Sequence, residues 1–384
     1  MDNVTNSTDN QVPDAFSKGL LVFVAYIFPV FYIQGIAGNL FAIFVFIKSR
    51  RLRFTDVFDY IFPLSVADLM FLIFGAFLKW LHLDMPHAIG GTRDIKTNIV
   101  STPASCKIIT YISYTSAFIA SWIVVIFTAE RFLRLKLDYC SLTRKCRLVT
   151  LSIFSVLGGI LMVPVLTSFN IDDDGIFIEC LYFPSNEGLF SYLGPFFLYC
   201  VVYTVPVSLV WLGNGAILVA MHRNRNLNVT MLESDEGQNG RDRILKNRKI
   251  FIQLIVVSTM FLVFTTPAAI FSIWDSVVNY EITVNNKFGL RKMYSDAYTG
   301  ATADFVYRFV YLNNCFNYVV YILTVDWFRS EARAIVCPKL TGETIVAYDE
   351  MSETVAFNTE EQRPRRTAPD KPVEPAGTAD NDEL

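Results

Sequence analysis

Charge is what this chain has least of. Asp, Glu, Lys and Arg make up 18% of its 384 residues, against about 25% in an ordinary soluble domain. With 53% apolar residues, that is too little to clothe a surface in water. The chain also lacks any evident nucleophile–base pair, metal-ligating cluster or Gly-rich phosphate loop, so no catalytic activity and no cofactor are expected. The net charge of −3 excludes nothing. What the chain does have is seven apolar runs, at 20–47, 57–81, 104–130, 148–168, 189–221, 250–274 and 302–325. Each is about 20 residues or longer, the length at which a helix crosses roughly 30 Å of hydrocarbon. Soluble enzymes, nucleic-acid-binding proteins and disordered hubs are excluded.

Each run is expected to be a helix, because backbone exposed to lipid finds no water to satisfy it, and a barrel would show a weaker, alternating signal. The fold class is therefore all-α, a seven-helix membrane bundle. No basic segment and no small-residue cleavage site precede the first run, so a removable signal peptide is not expected. Residues 338–384 are rich in Pro, Thr and acids and read as a disordered tail. That divides the chain into an outer N-terminus at 1–19, a membrane domain at 20–337 and the tail.

Basic residues set the orientation. Lys48, Arg50, Arg51 and Arg53 follow the first run; Arg131, Arg134, Lys136, Arg144, Lys145 and Arg147 follow the third; Arg241, Arg243, Lys246, Arg248 and Lys249 follow the fifth. Between the fourth and fifth runs stand Asp172, Asp173, Asp174, Glu179 and Glu187, with no basic residue. The N-terminus is thus expected outside the plasma membrane and the tail in the cytoplasm. Asn3 and Asn6 then head glycosylation sequons on the outer side. Of seven cysteines, Cys106 and Cys180 alone face the oxidising side, and a disulfide between them would tie the acidic loop over the bundle's mouth. Cys337 is a candidate for palmitoylation.

An ionisable residue inside a span is costly and is read as functional by default. Asp68 stands mid-span in the second run, Gly38-Asn39 in the first, and Asn313, Asn314 and Asn317 in the seventh. Asn39, Asp68, Asn313 and Asn317 are expected to form a buried polar cluster, with a sodium ion at Asp68 as an option; the alternative is helix-to-helix glue. Glu130-Arg131-Phe132 closes the third run, 25 residues from Cys106 to Arg131. Elsewhere such a pair would be an interfacial anchor.

In this order and at these depths, the set resembles the rhodopsin-like (class A) G-protein-coupled receptors, over roughly 20–337. The carriers are Gly38-Asn39, Leu64 with Asp68, Cys106, Glu130-Arg131-Phe132, Pro206, Pro267 with Phe261 below it, and Asn317 with Tyr321. Asp326-Trp327-Phe328-Arg329 resembles the start of that family's short amphipathic eighth helix. The departures are Tyr318 for the usual Pro, Thr265 for the usual Trp, and no Trp in helix four. The resemblance implies that Glu130, Arg131, Phe261, Pro267, Asn317 and Tyr321 take part in activation and in coupling to a heterotrimeric G protein. It also implies arrestin, a receptor kinase and membrane lipid as partners, with Ser352, Thr354, Thr359 and Thr367 open to phosphorylation.

Amine receptors of this family hold the ligand's ammonium with an Asp where this chain has Ser113, and opsins carry a Schiff-base Lys where it has Tyr311. Both classes are disfavoured. Asn314-Cys315-Phe316-Asn317-Tyr318, and Asn214 eight residues after Pro206, resemble invertebrate FMRFamide-type neuropeptide receptors. The acidic outer loop, with Asp275 and Asp304, suits a cationic extracellular peptide, although a solvated loop obeying the charge bias would look similar. Lys79, Ser113, Tyr114, Ala117, Asp275, Asp304, Tyr307 and Tyr311 are the expected ligand-binding residues; Asp304 equally has Arg308 one turn on. The rival readings are a receptor for a lipid or other small molecule, and a seven-helix channel or transporter, for which no inverted repeat is seen.

Overall fold

The computed structural model describes residues 19–20, 22–49, 53, 58–84, 102–137, 143–173, 178–182, 197–232, 255–274, 302, 305–324 and 326–336. Among the described residues six helices are long and apolar enough to cross a membrane: α1 Phe23–Lys48, α2 Phe58–His82, α3, whose spanning part is Pro103–Leu133, α4 Arg144–Ser168, α5, spanning over Phe197–Ala220, and α6 Ile255–Trp274. Helix α3 runs on to Leu137 and α5 to Leu232. The seventh run contains α7, Tyr311–Thr324, preceded by a helical turn at 305–309, and α8 follows at Asp326–Val336. The chain divides into compact units at 1–331 and 332–384, and of the second only the last residues of α8 are described. Asn3, Asn6, Asp275, Asp304, Cys337 and the tail lie outside the described residues.

Burial is arranged for lipid. Along α1, Phe28, Tyr32, Gly35, Asn39, Ala42 and Phe46 recur at helical spacing and are buried. Val30, Ile33, Leu40, Phe44 and Ile47 lie on the outside and are exposed. The same inversion holds on α4 and α5, where Ile160 is 63% and Leu212 71% exposed. In water these apolar faces would be a liability; in hydrocarbon they are the solvent-facing surface. Helix α3 is the central pillar and packs against α2, α4 and α5.

Among the described residues four π-helical segments, Phe23–Ile27, Leu72–Phe77, Trp80–Asp84 and Cys200–Thr204, break the regular hydrogen-bond register in α1, α2 and α5. The last has a clear cause. Val205 N–H donates to the Cys200 carbonyl five residues back, and Pro206 next in line has no N–H to give to Val201. The indole of Trp122 on α3 donates to that carbonyl instead, at 3.1 Å. Trp122 also packs on Phe154 of α4, centroids 5.3 Å apart, so α3 supplies the Trp that helix four lacks.

The loop between α4 and α5 departs from an all-helical expectation. It forms an antiparallel hairpin, β1 Phe169–Asp173 and β2 Ile178–Tyr182, in the register Ile171↔Cys180.

Candidate functional site

The hairpin is anchored over the bundle by its cysteine. Cys106, buried near the start of α3, is disulfide-bonded to Cys180 on β2 with Cα atoms 5.6 Å apart, as the sidedness of the cysteines leads one to expect. Thr110, one turn along α3, sits 3.4 Å from the Cys180 sulfur.

Beneath the hairpin a cavity of about 190 Å³ lies among α2, α3, α5 and the segment leading into α7. Five of the expected ligand-binding residues line it: Lys79, Ser113, Tyr114, Tyr307 and Tyr311. Ala117 does not. It is buried one turn deeper, in a core with Phe71, Phe118 and Tyr203. The lining also includes His82, Thr110, Phe169, Tyr199, Tyr203 and Arg308. The sequence treats Arg308 only as a neighbour of Asp304; the structure buries it at 4% exposure on the cavity wall. A tightened turn at Val310, with Asn313 N–H donating to its carbonyl at 3.1 Å, sets the phase of this wall. Tyr199 and Tyr307 stack across the cavity at 5.0 Å, and Tyr307 meets Phe271 of α6 edge-on at 5.6 Å.

Midway down the bundle, Asp68 is fully buried and accepts two amide hydrogen bonds. Asn314 Nδ2 donates to Oδ1 at 3.0 Å and Asn317 Nδ2 to Oδ2 at 2.7 Å. Asn39 on α1 donates to the Asn314 carbonyl at 2.9 Å and to its own Gly35 carbonyl at 3.0 Å. One correction to the sequence follows. Asn314, which the expected cluster leaves out, bonds the carboxylate together with Asn317, whereas Asn313 is buried without a bond to Asp68 among the described residues. Asn313 is buried with its Oδ1 unbonded among the described residues, as are Asn39 Oδ1 and Ser65 Oγ.

Where the family has Pro, Tyr318 packs its ring on Gly38, leaving no room there for a side chain. Its hydroxyl accepts from Gln34 Nε2 at 2.9 Å. Without a proline, α7 runs uninterrupted from Tyr311 to Thr324. Tyr321 is fully buried, and its ring meets Phe328 of α8 at 6.4 Å, which in turn packs on Phe46 at 5.5 Å. Arg329 donates to the Leu323 carbonyl at 3.2 Å, so α8 begins by capping the end of α7.

At the inner end, Glu130 and Arg131 are both buried. Tyr60 on α2 donates its hydroxyl to Glu130, and Arg147 on α4 approaches the same carboxylate at 3.9 Å. Arg131 lies over the Phe127 ring, 5.3 Å from its centroid. Arg147 also meets Asp59 of α2 at 3.0 Å, and Arg144 meets it at 3.2 Å. This Asp59–Arg147–Glu130 chain ties α2, α3 and α4 together. Sequence reasoning treats Arg147 only as a loop charge and passes over Asp59, although an acid just inside the second run was a signal.

Between α5 and α6, Asn214 Nδ2 donates to Ser258 Oγ at 2.9 Å, and Trp211 donates to Thr266 Oγ1 at 3.3 Å. Phe261 is buried in the core with Ile123 and Val124 of α3, and Thr265, above it, is buried too.

Two comparisons bear on this arrangement. The fold is similar to that in the crystal structure of squid rhodopsin, with a TM-score of 0.62 and 16% identity, covering 86% of this chain and 88% of the squid one. At that identity the likeness is one of fold alone. Residues 38–321 match the family model described as 7 transmembrane receptor (rhodopsin family). That match takes in the Gly38-Asn39, Asp68, Glu130-Arg131 and Asn317–Tyr321 positions and well over half of the chain: it belongs to the rhodopsin family of seven-transmembrane receptors.

Proposed function

We propose that this G-protein-coupled receptor binds an extracellular neuropeptide, of the FMRFamide-like class, at the plasma membrane with its N-terminus outside. The observation that carries the reading is the tyrosine-rich cavity beneath the disulfide-held hairpin. At about 190 Å³ it is smaller than the roughly 300–1,000 Å³ that encloses a drug-sized ligand. It suits one end of a longer ligand, whose remainder would lie along the outer loops. The acidic outer segment, with Asp275 and Asp304, would draw basic residues of such a peptide toward the mouth. Tyr311, standing where opsins have their Schiff-base lysine, speaks against a light sensor despite the likeness of fold.

The mechanism we infer is a population shift between two packings of the bundle. A ligand preferring the second packing moves the inner ends of α5 and α6 apart. Arg131 and Tyr321 then border the cleft that receives the G protein; arrestin and a receptor kinase would act on the same face and on the tail, and Asn3 and Asn6 would carry glycans. The Asn214–Ser258 contact opposes that separation. Ser258→Ala removes a hydrogen bond worth about 1 kcal/mol, so basal signalling is expected to rise by up to about fivefold. Ligand-free cyclic AMP or calcium measurements check this at matched surface expression.

The decisive test challenges cells bearing the receptor with a panel of amidated neuropeptides, with Arg131→Ala alongside at equal surface expression. A nanomolar calcium or cyclic AMP response that the variant loses supports the proposal. Silence from well-expressed receptor shifts the ligand class to a lipid or other small molecule.

A further inference from the structure

Resting on that receptor reading, we propose that Tyr318 is an autoinhibitory latch, which holds α7 against α1 and keeps Tyr321 out of the coupling cleft. Three contacts build it. The Tyr318 ring fills the space that Gly38 leaves by having no side chain. Its hydroxyl accepts a hydrogen bond from Gln34 Nε2 at 2.9 Å. One turn earlier on α7, the Asn314 carbonyl accepts from Asn39 Nδ2, also at 2.9 Å. Gln34 and Gly38, four residues apart, form one strip of α1 turned toward α7. A proline at 318 would provide neither the ring nor the hydroxyl, and it would take a rung from the helix. With Tyr there, α7 is unbroken from Tyr311 to Thr324, so its inner half moves as one rod. Tyr321 stands three residues beyond Tyr318, fully buried, with its ring on Phe328. A side chain so buried cannot border the cleft. To reach it, this part of α7 must shift, and the shift draws Tyr318 off Gly38 and away from Gln34. Gln34 lies midway along the span of α1, where a parted amide and hydroxyl meet hydrocarbon rather than water. The latch therefore favours the packing in which Tyr321 is buried, and its release favours the other.

The test needs no ligand. Tyr318→Phe removes the hydroxyl but leaves the ring on Gly38, and Gln34→Leu removes the donor, so both variants keep the packing. At matched surface expression, each should raise ligand-free calcium or cyclic AMP signalling by roughly threefold, the worth of one hydrogen bond between membrane helices. Both remove the same bond, so the double variant should rise no further than either single one. A second readout needs no G protein. Amide hydrogen exchange of the purified full-length receptor should quicken over residues 318–324 in both variants and stay unchanged in α4. Quickened exchange with ligand-free signalling unmoved would make the contact structural only and overturn the latch. Activity that falls in either single variant, or rises that add in the double one, would overturn it as well. The two readings fail differently. Peptide-stimulated signalling together with ligand-free activity that Tyr318→Phe leaves unmoved sinks the latch alone. Silence of the wild type to every peptide, and of every variant without one, sinks the receptor reading and the latch with it.

Discussion

Asp59→Asn is expected to strip most of the receptor from the cell surface. Asp59 is 2% exposed, and Arg147, which meets it at 3.0 Å, is 3% exposed. The substitution takes from a buried guanidinium the carboxylate that lies against it. Removing one partner of such a pair typically costs about 3–5 kcal/mol, far more than the pair contributes net when intact. Two companions make the result specific. Arg144 touches the same carboxylate at 3.2 Å, but its side chain is 44% exposed, so Arg144→Ala should cost at most about 1 kcal/mol. Asp59→Leu combined with Arg147→Met leaves neither charge behind and should regain part of the loss, since Glu130 keeps its hydrogen bond from Tyr60. Surface immunostaining and the thermal midpoint of the solubilised protein read all three. Wild-type expression of Asp59→Asn would show that the pair carries no such burden.

Gly38→Ala is expected to be nearly as damaging, for a steric reason. A Cβ at Gly38 would come within 2.2 Å of the Tyr318 ring carbons, and one at Gly35, a turn away, would come 2.8 Å from the Cys315 backbone. Overpacking of this kind costs about 1–3 kcal/mol. Here it also pushes on the turn of α7 that presents Asn314 and Asn317 to Asp68. The partner substitution decides the mechanism: Tyr318→Ala opens the space, so Gly38→Ala with Tyr318→Ala should express better than Gly38→Ala alone. Should the double variant fare no better, the requirement at Gly38 lies elsewhere than the ring of Tyr318.

Hydropathy alone was enough to find the helices, because a bilayer demands long apolar runs and leaves little else to arrange. Asp68 and Asn317 were legible for the complementary reason: a polar group at that depth has to meet another. Phase was harder. The choice between Asn313 and Asn314 turns on about 100° of helix rotation, which the adjacent letters do not announce. The hairpin at 169–182 hid behind its acids, since Asp172 and Asp173 read as loop while β1 and β2 depend on their mutual backbone pairing. Asp59 escaped notice because its partners, Arg144 and Arg147, stand 85 and 88 residues away. Arg308 was visible as a letter, but its place on the cavity wall came only with the fold.

The bonds to Asp68 impose an order in time. Its carboxylate waits for Asn314 and Asn317, which are 246 and 249 residues further along. At about 5–20 residues per second of synthesis, that delay is roughly 12–50 s. Through it, α2 holds an acid in the membrane with neither of these amides yet made, in a setting where a central Asp costs about 2.5–3.5 kcal/mol. The Cys106–Cys180 bond, by contrast, closes within the first half of the chain. The outer mouth can therefore be sealed while the middle is still unfinished, and a nascent chain broken off before α7 carries in Asp68 its own mark for retention and disposal.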